Sequence, residues 1–198
     1  MAWAMVLVMV LGACGTPPHR GELQALESAL LAMQTAAKDY SQVSQDSVDA
    51  TREWATTQLQ DFELLAADSG VVLSRSEGAI VSDVSRVKRL LKDNPQRRQS
   101  LEKAQTQATR QIQLLMEALR TNATIDGAGT PIDSTYIRLQ VKAECTAAEQ
   151  VALSWQETTN YATQALSLAR TTMPLSDSLS TELRKRLAQW IIEQENRP

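Results

Sequence analysis

Apolar residues recur through this chain in alternating steps of three and four, a spacing that selects helices packed against other helices. Leu23, Leu26, Leu30, Met33, Ala37 and Tyr40 open the series, and Val48, Ala55, Leu59, Phe62 and Ala66 resume it. Between them the phase slips near residues 43–48, where Ser44 and Ser47 take seam positions. A single helix over residues 21–67 accommodates both runs. Asp68, Ser69 and Gly70, followed by Val71, fit a glycine-terminated C-cap with its hydrophobic contact. Ser74-Arg75-Ser76-Glu77 then reads as a capping box, in which a hydroxyl and a carboxylate each satisfy a free backbone N–H at a helix start.

A second series, Val84, Val87, Leu91, Leu101, Ala108, Ile112, Leu115 and Leu119, keeps one seven-residue register and predicts a helix over residues 75–121. Asn94-Pro95 interrupts it. The pair fits an N-cap followed by proline at the first helical position. A reversal of direction, however, needs about two to five linking residues, so one helix kinked at Pro95 is expected, roughly 70 Å long like the first. Residues 122–133, NATIDGAGTPID, form the one substantial loop, either functional or merely connecting.

Ile137, Val141, Ala148, Val151, Trp155, Ala162 and Ala169 predict a third long helix over residues 134–172. Pro174 is expected to end it. Ser176 or Asp177 can then cap a shorter helix over residues 177–195, whose apolar stripe is Leu179, Leu183, Leu187, Trp190 and Ile191. That stripe should fold back on the preceding helix and bring Trp190 beside Trp155. The expected fold class is therefore all-α: an antiparallel bundle of three long helices plus a shorter C-terminal one. Gly and Pro after the signal stretch fall almost entirely at the proposed breaks, Gly78 excepted, in agreement with this punctuation.

Composition narrows the chemistry. The single histidine, His19, lies before the first helix, so the body of the chain cannot build a Ser-His-Asp triad, a haem axial pair or a histidine metal cluster. Phosphate-binding loops, nucleophile elbows and dinucleotide fingerprints are also lacking. No enzyme activity and no cofactor are expected. A formal charge of -3 argues against nucleic acid as a partner, since such binders carry a basic domain or stripe.

Residues 1–13, MAWAMVLVMVLGA, are uncharged and almost wholly apolar, yet shorter than the roughly 20 residues needed to span a bilayer. They read as the apolar region of a signal peptide, although no charged residue precedes Arg20. Leu11-Gly12-Ala13-Cys14 ends that run with small residues before a cysteine. Over these first 14 residues the chain resembles the lipobox of bacterial lipoproteins. The resemblance implies cleavage before Cys14 and acylation of its thiol and of the new N-terminus, with several chains anchoring together. Gly15, where Asp would favour the inner membrane, implies an outer-membrane anchor facing the periplasm. The chain then divides into a signal peptide (1–13), a lipidated tether (14–20) and a single helical domain (21–198). Cys145, the remaining thiol, has no disulfide partner and is expected to be buried and inert.

One charge asymmetry stands out. Arg86, Lys88, Arg89, Lys92, Arg97 and Arg98 oppose only Asp93, whereas the first helix carries Asp46, Asp49, Glu53, Asp61 and Glu63 against Arg52. The six cations could contact an anionic ligand or a partner. Alternatively they flank the seam opposite the acidic run, since antiparallel folding sets Glu53 level with Arg89; this ion-paired arrangement is the favoured expectation. The seam itself is rich in Ala, Thr and Ser and includes polar Arg98 and Gln105, so the core is thin. A non-catalytic scaffold or interaction module follows, completed by a protein partner or by self-association. The alternative is an envelope sensor or ligand-binding lipoprotein that takes an anionic or glycan ligand.

Overall fold

The computed structural model describes residues 19–67 and 72–196, so Cys14 and its signal stretch, and the expected C-cap at residues 68–71, lie outside the described residues. The helices are α1 (Arg20–Ser41), α2 (Gln45–Ala67), α3 (Arg75–Leu91), α4 (Asn94–Arg120) and α5 (Ser134–Glu195). The fold is all-α, and the described residues contain no strand beyond an isolated bridge between Ile125 and Pro131. Direction follows from the pairs that meet. Glu27 meets Arg120 and Tyr40 meets Asn94, so numbering rises along α1 as it falls along α4, and the two are antiparallel. Glu22 and Ser134 share one groove while Asp61 pairs with Arg184, so α5 runs parallel to α1 and α2 over their whole length. The result is an up-down-up bundle in which α5 packs against all four other helices.

The expected helix over residues 21–67 is two helices, broken at residues 42–44. The cause is local. Ser44 Oγ accepts the Ser47 backbone N–H at 3.2 Å, which caps a new helix start where the seam had lost its apolar residues. The expected helix over residues 75–121 is also two, parted at Lys92 and Asp93, with Pro95 in the first turn of α4. Proline is tolerated there because no intrahelical partner awaits its missing N–H. The direction of travel is kept across this break, so the loop at residues 122–133 returns to the end where α1 begins. The capping box at Ser74 and Glu77 is present, with both reciprocal bonds made at 3.3 and 2.7 Å.

The third difference concerns Pro174, which does not end a helix. α5 continues through it to Glu195. Interior proline costs about 3 kcal/mol, but Ser176, Leu179, Ser180 and Leu183 are all buried beyond it. Burying two leucines contributes roughly 3 to 6 kcal/mol and outweighs the lost bond. Hydroxyls beside the proline serve nearby carbonyls: Thr172 Oγ1 donates to Leu168 O at 2.9 Å and Ser176 Oγ to Met173 O at 2.8 Å. Trp190 therefore cannot fold back onto Trp155. On one helix rising about 1.5 Å per residue they stand roughly 50 Å apart.

The core is a continuous seam in which Leu26, Met33, Val48, Val84, Val87, Leu91, Ile112, Leu119 and Leu183 are fully enclosed and Tyr40, Phe62 and Trp155 nearly so. On the α5 side it narrows to Ala148, Ala152, Ala162, Ala165 and Ala169, small residues that let the helices approach closely. Gln105, polar at a seam position, accepts the Trp155 indole N–H at 3.1 Å. Among the described residues none beyond Leu187 joins this core, although the last two turns of α5 carry Trp190, Ile191 and Ile192.

Candidate functional site

Two features could receive something: the basic run on α3 and α4, and a cleft beside the 122–133 loop. Of the six cations, Arg97 lies over the Tyr161 ring at 4.9 Å, and Arg98 faces Glu102 at 3.7 Å. Arg86, Lys88, Arg89 and Lys92 make no ion pair among the described residues. This corrects the expectation that they answer the acids of the first rod. A helix turns about 100° per residue, and Arg89 lies two residues from both Val87 and Leu91, the buried positions on either side of it. It therefore points away from the seam. Glu53, between buried Thr51 and Ala55, does the same on α2. Both are exposed on outer faces, and no ion pair forms between them.

Other charges hold the helices together. Arg120 pairs with Glu27 at 2.9 Å, Arg184 with Asp61 at 2.8 Å and Arg186 with Glu77 at 2.8 Å. Asp61 belongs to the acidic run, yet its partner Arg184 lies on α5 rather than in the basic run, and Glu27 and Glu77 lie outside both runs.

The cleft lies between α4 and α5 at the loop end of the bundle and encloses about 390 Å³. Leu114, Leu115 and Ala118 form its α4 wall; Ile125 and Ile132 close it from the loop. Tyr136, Gln140 and Glu144, four residues apart and hence on one helix face, form its α5 wall. The loop is a built structure. Asp126 Oδ1 accepts the N–H groups of Ala128 at 2.9 Å and Thr130 at 2.8 Å, while Oδ2 accepts the Tyr136 hydroxyl at 3.0 Å. Gly129 supplies the left-handed turn residue at φ 84°. Asp133 caps α5 by accepting the Tyr136 N–H at 2.7 Å. The Thr130 N–H foremost holds the Asp126 carboxyl below its ordinary range, and burial, reinforced by Asp126, pushes the Tyr136 phenol up.

Glu144 differs from Asp126. Its Oε2 is enclosed without a hydrogen-bond partner, and burial raises its pKa. The heptad pattern does not single out Tyr136 and Glu144; the signal for them is their spacing beside a loop of Asx-turn formers. Cys145 is half-buried rather than fully buried, and burial together with Glu144 pushes its thiol up, which keeps it protonated. Among the described residues no group of three or more His, Cys, Asp or Glu side chains could hold a metal ion, and no helix is long and apolar enough to cross a membrane.

No family model matches the chain, and neither a curated protein nor a solved structure matches it.

Proposed function

We propose that this protein is a non-catalytic interaction module, held at the periplasmic face of an outer membrane by acylated Cys14, which offers the C-terminal end of α5 to a protein partner or a second copy. One observation carries the reading. Among the described residues the end of α5 adds nothing to the core, and Ile191 and Ile192 there are 44% and 56% exposed. A helix end that carries Trp190 with two isoleucines and contributes nothing to its own core suits helix-in-groove or coiled-coil contact. The tether supports the same reading. From Cys14 to Arg20 the chain reaches at most about 25 Å, and α5 runs parallel to α1, so its free end stands away from the anchored end. A photo-cross-linker at Ile192 in the native envelope tests this: a discrete protein adduct is expected, and material linked to glycan alone, or to nothing, overturns it.

A second reading, an anionic or glycan ligand on the bundle's flank, is favoured by the absence, among the described residues, of ion-pair partners at Arg86, Lys88, Arg89 and Lys92. The same cross-linking, moved to Arg89, separates it from the first.

A further inference from the structure

The charge of the α4–α5 cleft is opposite to that of the basic run, and its walls are apolar. Among the described residues the ionisable groups that line it are Asp126, Glu144 and Tyr136, and no Lys or Arg lines it. Asp126 is committed to the loop, with both carboxylate oxygens occupied by the N–H groups and the phenol described above. Glu144 is not committed. It makes no ion pair among the described residues, and its enclosed Oε2 finds no donor. Lys142, the nearest cation in sequence, is two residues away and so turned about 200° around the helix; it faces the groove shared with Glu22.

We infer that this cleft binds a small amphiphilic amine, its ammonium paired with the Glu144 carboxylate and its hydrocarbon chain laid along Leu114, Leu115 and Ile132. The volume, about 390 Å³, lies within the roughly 300 to 1,000 Å³ typical of small-molecule sites. A cation supplies what the protein withholds from Glu144. A fatty acid would set two carboxylates together, and a neutral alcohol would leave the acidic group without its counter-charge. Gln140, on the same face one turn before Glu144, offers an amide oxygen to a second ammonium proton. The site is independent of the α5 end, which lies at the opposite end of the bundle.

Calorimetric titration of the purified protein with hexylammonium, hexanol and hexanoate tests the inference. Hexylammonium should bind one to one, at least tenfold tighter than hexanol, with hexanoate weaker than both. Glu144→Gln should bring hexylammonium to the level of hexanol while helicity by circular dichroism is kept. Ala118→Met, which narrows the apolar wall and leaves Glu144 in place, should weaken both ligands and keeps the test open should Glu144→Gln not fold. Absence of hexylammonium binding, equal binding of hexanoate, or affinity unchanged in Glu144→Gln overturns the assignment.

Discussion

Asn94 donates from its side-chain amide to the Tyr40 hydroxyl at 3.1 Å, which ties the first residue of α4 to the end of α1 at the height where both rods of the bundle break. The hydroxyl also donates to Gln45 Oε1 at 2.9 Å, in the first turn of α2. α5 crosses this level unbroken, with the Trp155 ring 5.0 Å from that of Tyr40. Two helix breaks are thus joined by one phenol and splinted by one continuous helix.

Tyr40→Phe should therefore destabilise the bundle more than loss of a single exposed hydroxyl would. It leaves the Asn94 amide, 7% exposed, without its partner, at about 1 to 3 kcal/mol. For a chain of this size each kcal/mol lowers Tm by roughly 2 to 4 °C. Thermal melts followed by circular dichroism check this, and an unchanged Tm contradicts it.

The two tryptophans of α5 should behave in opposite ways. Trp155 is 3% exposed, so Trp155→Ala should cost about 3 to 5 kcal/mol. Trp190 lies beyond the core and is only half-buried. Trp190→Ala should leave the melting curve nearly unchanged while reducing the protein adduct formed at Ile192. A large fall in Tm for Trp190→Ala would mean that the α5 end packs on its own chain.

Glu77 sets an acid limit on stability. Arg186 donates to its Oε1 at 2.8 Å and the Ser74 N–H to its Oε2 at 2.7 Å, and these bonds hold its pKa at about 2 against the ordinary 4.5. The folded value lies below the unfolded one, so the carboxylate stabilises fully above 4.5 and loses that contribution as pH falls towards 2. Glu77→Gln should accordingly lower Tm at pH 7 and converge with the natural chain near pH 2. A Tm difference that is constant with pH would show that the ion pair is not its source.

Spin labels at positions 22 and 126 should report a short distance, and labels at 126 and 193 a long one. The loop returns to the end where α1 starts because α4 keeps the direction of α3. A distance from 22 to 126 comparable with the bundle's length would overturn the up-down-up order.

With acylated Cys14 as the proposed anchor, Cys14→Ala should move the protein from the membrane fraction to the soluble one without altering its Tm, since Cys14 precedes α1. Pelleting of this variant after a high-salt wash would rule out the lipid anchor.

The heptad spacing of Leu26, Met33, Val84, Val87, Leu91, Ile112 and Ile137 was legible in the chain itself, and so was the all-α class. Apolar residues on one stripe must be buried together whatever the topology. The Ser74–Glu77 box was equally legible, because both of its bonds close within four residues. What only the tertiary structure decided involves competition between local and distant terms. Pro174 alone argues for a helix end, and only the burial of Leu179 and Leu183 against other helices keeps α5 running. Asn94-Pro95 and Ser44 are local signals whose outcome, two aligned breaks with no reversal, depends on Tyr40 and Trp155 meeting them across the bundle. Counting residues from the turn set Glu53 opposite Arg89, but a count along the axis says nothing about azimuth, and packing turned both to the outside. The cleft at Glu144 exists only because the loop's Asp126 reaches Tyr136 and folds Ile125 and Ile132 over α4 and α5. That arrangement depends on three segments meeting in space, and no periodicity along one of them encodes it.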